Sequence, residues 1–250
     1  MVPIDVIRPR GRSSLLLVCE HAASAIPSAY GRLGMTEDAI MSHIGWDIGA
    51  GDVALHLSEL LDATLVRATV SRLVIDLKRP LHAVDSVPTA SGGLPIPGNQ
   101  DLSALQRSQR AERFFVPFHE AIALIVEERT HQGEPLAILA IHSFTPVLDG
   151  RPRPWSCGVA HDCDDLSASL LKHLRLLPDQ VVGDNQPYSL DGSDYTIPVH
   201  GRARGIPATL LEIRQDLLTT VADRKGWASR LAVLAPSAVA AIGLSASRYG

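Results

Sequence analysis

Hydrophobic residues in this chain fall into short unbroken blocks that end on polar residues. The blocks at 15–18 (LLLV), 136–141 (LAILAI) and 208–213 (ATLLEI) are the clearest. Unbroken apolar runs of this length predict strands covered on both faces, as in a largely parallel sheet. Between them the period lengthens. In 48–61, Ala50, Val53, Ala54, Leu57, Leu60 and Leu61 share one helical face. Thr36 can cap a short helix over 36–42, with Glu37 and Asp38 at its positive end. Asp101 can open a long helix running towards Gly133, broken at Pro117, and acidic residues open another over 164–176. Further strands are expected at 63–70, 72–77 and 155–161, and a packed terminal helix over the apolar 231–246. Residues 1–12 read as a loose lead-in, 81–100 as a long Gly/Pro-rich loop and 184–198 as loop. Strand and helix patterns alternate throughout. That predicts one α/β domain over residues 1–250, with a mixed, mainly parallel sheet covered by helices on both faces.

Composition narrows the function classes. Apolar residues make up 46% and aromatics only 4%, so the core is built from aliphatic side chains. A net charge of −4 and scattered arginines leave no electrostatic footprint for nucleic acid. No apolar run is long enough for a membrane span, and the run at 15–18 does not lead to an export cleavage site. Three cysteines (Cys19, Cys157, Cys163) without C-x-x-C spacing point to a reducing, cytoplasmic setting. Cys157, His161 and Cys163 match no common zinc spacing.

The chemistry lies where the blocks stop. The first ends on Glu20-His21, the second on His142-Ser143, and the third carries Glu212 and Arg214. In an open α/β sheet, ligands bind beyond the carboxyl ends of strands. Two imidazoles and a carboxylate from separate strand ends can hold a zinc ion, and a further Glu can serve as base. Along a strand Glu20 and His21 point opposite ways, which favours His21 as the ligand. Asp47 is either the third ligand or a helix N-cap. His142 can equally be a satisfied core histidine, and Glu212 can equally pair with Arg214. Arg72, Lys78 and Arg79 suit a substrate carboxylate or a developing oxyanion, or else they neutralise Asp76.

Eight segments occur in the order of a known family: CEHAASAIP (19–27), HIGWDIGAG (43–51), SRLVIDLKRP (71–80), IPGN (96–99), IHSFTP (141–146), RPW (153–155), GDNQPY (183–188) and LEIR (211–214). The sequence thereby resembles the N-formylglutamate amidohydrolases, relatives of zinc carboxypeptidases and aspartoacylases. The resemblance implies a three-layer α/β/α sandwich, one zinc ion, and hydrolysis of an amide in a small carboxylate substrate. It implies His21 and His142 as zinc ligands and Glu212 as the general base acting on water. Arg72 would polarise the carbonyl and Arg79 would clamp a carboxylate, with Asn99, Ser143 and Arg214 completing the substrate site. Two departures stand out. Ser24 occupies the place of the ligand Glu in the carboxypeptidase motif, which turns attention to Asp47, with Glu20 in reserve. Lys78 stands where family members usually carry Asn. A peptide or cell-wall amidase of the same fold, or an inactive binding module, are the competing readings.

Overall fold

The computed structural model describes residues 3–162 and 164–244. Cys163, one member of the Cys157/His161/Cys163 spacing, lies outside them, as does the end of the predicted terminal helix. Seven strands form the central sheet in the order β1-β3-β2-β6-β11-β9-β10. They are β1 (Ile4–Ile7), β2 (Leu15–Cys19), β3 (Leu65–Ala68), β6 (Ala137–Phe144), β9 (Cys157–Ala160), β10 (Val182–Asp184) and β11 (Ala208–Arg214). The pairs β2/β3, β2/β6, β6/β11 and β9/β10 are parallel; β1/β3 and β11/β9 are antiparallel. Two hairpins, β4/β5 (Ala90–Ser91 with Leu94–Pro95) and β7/β8 (Val147–Leu148 with Arg151–Pro152), stand apart from the sheet.

The unbroken apolar blocks arise because each strand faces two cores. Leu16, Val18, Ile138, Ala140 and Leu210 meet Phe114, Phe118 and Ile122 on one side. Leu15, Leu17, Leu139, Ile141 and Leu211 meet Val53, Leu57, Leu170, Trp227 and Leu231 on the other. The first side is covered by the helical turn over Ala111–Phe115 and by α4 (Val116–His131), with the exposed α3 (Ala104–Arg110) leading into them. The second is covered by α2 (Ala50–Leu61), α5 (Asp165–Leu174) and α6 (Val221–Ala241), while α1 (Glu37–Met41) precedes α2 in the chain. This is a three-layer α/β/α arrangement around a mixed, mostly parallel sheet. No helix among the described residues is long and apolar enough to cross a membrane.

Several local expectations are corrected. Residues 4–7 are an edge strand, β1, paired in register with β3, whereas a loose lead-in was expected. Ser103, not Asp101, caps α3, through a reciprocal capping box with Gln106. The break expected at Pro117 takes the form of a π-helical turn over Ala111–Phe115, immediately before α4 begins. A proline cannot supply the regular helical N–H, and the widened turn absorbs that loss. The C-terminal helix starts ten residues earlier than its apolar stretch, capped by Thr220 with Asp223.

The largest correction concerns 72–77, which forms turns although Leu73, Val74, Ile75 and Leu77 are buried. Buried backbone must still be hydrogen-bonded. Here side chains substitute for a strand partner: Asn99 Nδ2 donates to Leu73 O (2.8 Å), Arg110 to Val74 O (2.8 Å) and His119 Nε2 to Leu77 O (2.8 Å). Asn99 is fully buried, also donates to Pro88 O, and accepts from Arg110. It therefore braces the turn that carries Arg72, Asp76, Lys78 and Arg79 and does not face substrate, contrary to the expectation. Asn99→Ala should lower unfolding free energy by about 1–3 kcal/mol, because it strands a buried carbonyl and part of a guanidinium. Denaturant titration measures this; an unchanged midpoint would remove the bracing role.

Candidate active site

β2, β6 and β11 lie side by side, and their carboxyl ends open on one pocket. The chain leaves β2 to form β3 on one side and returns to place β6 on the other, so the strand order reverses between β2 and β6. Such a switch point leaves a crevice at the strand ends. Register then sets the groups level. Glu212 pairs with His142, and Val18 pairs with Ala140, two residues before Glu20 and His142. The pocket, about 240 Å³, is lined by His21, Asp47, Arg72, Lys78, Arg79, His142, Ser143 and Glu212. His43, Ile44, Phe144, Leu148 and Tyr188 also line it, as do Ser91 and Gly92 of the β4/β5 hairpin.

Asp47 arrives on the segment before α2. Its N–H donates to His21 O (3.0 Å). Gly51, in the first turn of α2, packs so closely on Ala22 that a Cβ there would lie 2.9 Å from the Ala22 carbonyl. That close approach brings the start of α2 against the chain leaving His21. Asp47 is not the N-cap of α2: Gly49 holds that position in a left-handed conformation, without a side-chain cap. The Asp47 carboxylate faces the imidazoles instead. Its Oδ2 lies 2.7 Å from His142 Nδ1 and 3.4 Å from His21 Nδ1, and accepts the Ser143 N–H at 3.3 Å. Ser143 Oγ donates to Ile48 O (2.9 Å), so this residue fixes the Asp47 segment.

Ligating atoms of His21, Asp47 and His142 lie within 4.8 Å of one another, all three buried. The far nitrogen of each imidazole meets a carboxylate: His21 Nε2 meets Asp76 at 2.8 Å and His142 Nε2 meets Glu20 at 3.0 Å. A carboxylate behind each ring fixes the tautomer that leaves Nδ1 free to ligate, a common outer support of metal-binding histidines. Glu20 thus stands behind His142, away from the converging nitrogens. Charge points the same way. Glu20, Asp47 and Asp76 are buried around two imidazoles and one guanidinium, Arg72, which lies 2.8 Å from Asp76 and 3.5 Å from Asp47. Burial raises the Asp47 and Asp76 carboxyls, but the adjoining imidazoles outweigh it and hold both well below the usual range. Burial alone would lower His142, yet Glu20 and Asp47 lift it to about 10. With both imidazoles neutral, as ligation requires, the three carboxylates exceed Arg72 by two negative charges, and that excess together with the donor set fits a divalent cation.

Glu212 differs from these acids. It is buried, and its Oε2 has no hydrogen-bond partner among the described residues. Burial pushes its carboxyl up to about 7, against the pull of His142 and Lys78. A carboxyl of that pKa in a pocket can take and return a proton near neutral pH. The alternative pairing of Glu212 with Arg214 is not made. Arg214 bonds Asp216 (2.7 Å) and the carbonyls of Arg153, Pro154 and Trp155 (3.3 Å each), and it does not line the pocket. Of the flanking cations, Arg72 pairs with Asp76 as the neutralising alternative had it, and it also lines the pocket. Lys78 pairs with Asp194 (2.8 Å), and Arg79 faces Asp85 (3.3 Å) and Ser193 O (3.3 Å). Asp76, His43, Leu148 and Tyr188 were not foreseen as site residues. Only the quoted segments containing His43 and Tyr188, and the acid among the 72–79 cations, hinted at them.

The sequence matches the family model for N-formylglutamate amidohydrolase over residues 13–219. Among solved structures, a gene product of Agrobacterium tumefaciens is similar with 37% identity, 96% of each chain covered and a TM-score of 0.92. The N-formylglutamate amidohydrolase of Ralstonia eutropha has 19% identity and a TM-score of 0.66, with 93% of this chain and 97% of that one covered, a likeness of fold. Comparison with curated proteins found no match.

Proposed function

The chain belongs to the N-formylglutamate amidohydrolase family. From that membership we propose a zinc-dependent amidohydrolase that cleaves a small N-acyl amino acid, N-formyl-L-glutamate or a close relative. One observation carries the reading: a buried carboxyl with a free oxygen, Glu212, beside the His21–Asp47–His142 cluster in one pocket. His21 and His142, through Nδ1, and Asp47 would hold the zinc ion. The ion supplies Lewis acidity, which makes water a better nucleophile at neutral pH and polarises a carbonyl.

The chain's own residues do the rest. Glu212 takes a proton from the attacking water and returns it to the leaving nitrogen; burial raises its carboxyl above the usual range, which favours proton uptake. Arg72 is held in place by Asp47 and Asp76, and its guanidinium faces the developing oxyanion. Asp76 and Glu20 orient the two imidazoles, and Ser143 orients Asp47. Lys78 and Arg79 make one wall cationic, which suits a carboxylate substrate. Ser91 and Gly92 of the β4/β5 hairpin line one side of the pocket, which favours a small substrate over a peptide lying in an open groove.

A panel of N-acyl amino acids, offered to zinc-loaded protein beside peptides, tests the reading. Release of the free amine from an N-formyl or N-acetyl acidic amino acid is expected; cleavage of peptides alone would overturn it. Asp47→Asn should weaken zinc binding by more than about 100-fold, since losing merely a supporting group costs about 10- to 100-fold. Competition with a chelator gives the affinity. No change would remove Asp47 from the ligand set.

A further inference from the structure

The cations that line the pocket are already matched by carboxylates of the chain: Arg72 by Asp76 and Asp47, Lys78 by Asp194, and Arg79 by Asp85. One cation beside the pocket is not; it lies outside the lining residues but packs directly on two of them. Arg153 lies against two pocket-lining rings, its guanidinium carbon 4.8 Å from the centre of Tyr188 and 5.8 Å from that of Phe144. One NH2 group donates to the Tyr188 hydroxyl at 2.8 Å. Among the described residues no carboxylate lies within 4.0 Å of it.

The backbone of Arg153 is held for such a task. It stands between Pro152 and Pro154, directly after β8, and the following proline confines it to extended geometry. Its N–H donates to Pro146 O (2.8 Å), and its carbonyl accepts from Arg214. Arg214, expected at the substrate, thus acts one step removed, as the brace of the 153–155 segment. Aromatic faces support a guanidinium without occupying the edges that fork onto a carboxylate. His43, which also lines the pocket, is held below its usual pKa by burial and then by Arg153 and Arg72, so the positive field reaches the pocket wall.

Building on the amidohydrolase reading, we infer that Arg153, with the Tyr188 hydroxyl, is the direct anchor for a carboxylate of the substrate. Arg79 then contributes to the field of the cationic wall without making the clamp. The acid recognised at this rim lies on the amino-acid part of the substrate, and the scissile amide lies inward, towards Glu212.

The test pairs variants with ligands on the zinc-loaded protein. In Arg153→Gln the KM for N-formyl-L-glutamate should rise roughly 10- to 100-fold with kcat within about 3-fold, the size expected for a lost charge-assisted hydrogen bond. The effect should disappear for one of two analogues, N-formyl-L-glutamine or the α-amide, in which the anchored carboxylate is already an amide. Arg153→Lys should recover part of the affinity, and Tyr188→Phe should produce a smaller rise. Equal losses on all three ligands, or none, would overturn the assignment. Calorimetric titration of glutarate decides the anchor without turnover. Binding weakened roughly 10- to 100-fold in Arg153→Gln and less in Arg79→Gln supports it. The reverse order, or a parent protein that binds no glutarate, overturns it. Glutarate binding with no hydrolysis of any N-acyl amino acid would reject the amidohydrolase reading and leave the anchor standing.

Discussion

Glu212→Gln should lower kcat by roughly 10²- to 10⁴-fold, the usual worth of a positioned general base. The carboxamide keeps the size of the side chain but cannot take a proton from water. Two features make the change selective. Glu212 sits within β11, held between β6 and β9 by register with His142 and Gly158, so the substitution leaves the backbone in place. Its Oε2 has no hydrogen-bond partner among the described residues, so little native bonding is lost. Replacing a buried acid by a neutral amide also removes a desolvation cost, and the melting temperature should stay level or rise. Zinc content should match the parent, because Glu212 is outside the His21–Asp47–His142 group. The decisive measurement is kcat, zinc content and melting temperature on one preparation. Near-parental turnover at full zinc would remove Glu212 from the mechanism and require another base.

A double His21→Ala, His142→Ala variant should retain almost no zinc and no activity above background. The substitution removes two of three donors and leaves Asp47 alone, which is too few for a stable site. It also strands Glu20 behind position 142, whereas Asp76 behind position 21 keeps Arg72 and the Lys78 N–H. An uncompensated buried charge destabilises by several kcal/mol, so a lower melting temperature is expected as well. Zinc stoichiometry in the folded fraction therefore separates ligand loss from general damage. Full occupancy in folded double variant would sink the assignment. His142→Gln tests the same point more gently, since its carboxamide nitrogen reaches the Nε2 position and can still donate to Glu20 while the ligating Nδ1 is lost.

Local pattern carried the sheet because a strand buried on both faces has no polar alternation to confuse it. The blocks at 15–18, 136–141 and 208–213 became β2, β6 and β11, the three adjacent strands that hold the site. The same reasoning failed at 72–77, which is equally apolar. Its carbonyls are satisfied by Asn99, Arg110 and His119, residues 26, 36 and 42 positions away, and no local pattern reveals such partners. Residues 4–7 failed in the opposite way. An edge strand exposed along one side needs little hydrophobicity, and its partner residues are 58 to 64 positions distant.

For the site, the residue types at the strand ends and the family segments pointed to His21, Asp47, His142, Glu212 and Arg72, and the structure brings all five to one pocket. Buried imidazoles and carboxylates are scarce residue types, and they mark themselves even without coordinates. What tertiary structure alone decided was the direction of each side chain. Asp47 turned from a capping position to the imidazoles, and Glu20 moved behind His142. Asn99 was enclosed in the support of a turn, and Arg214 was drawn onto the 153–155 segment, where it presents Arg153. A carboxylate can hold a metal, support a ligand's ring or accept a backbone N–H, and a carboxamide or guanidinium can donate to a backbone carbonyl or to a substrate. Which of these it meets depends on groups brought close by the sheet order, and that proximity is not written in the neighbouring residues.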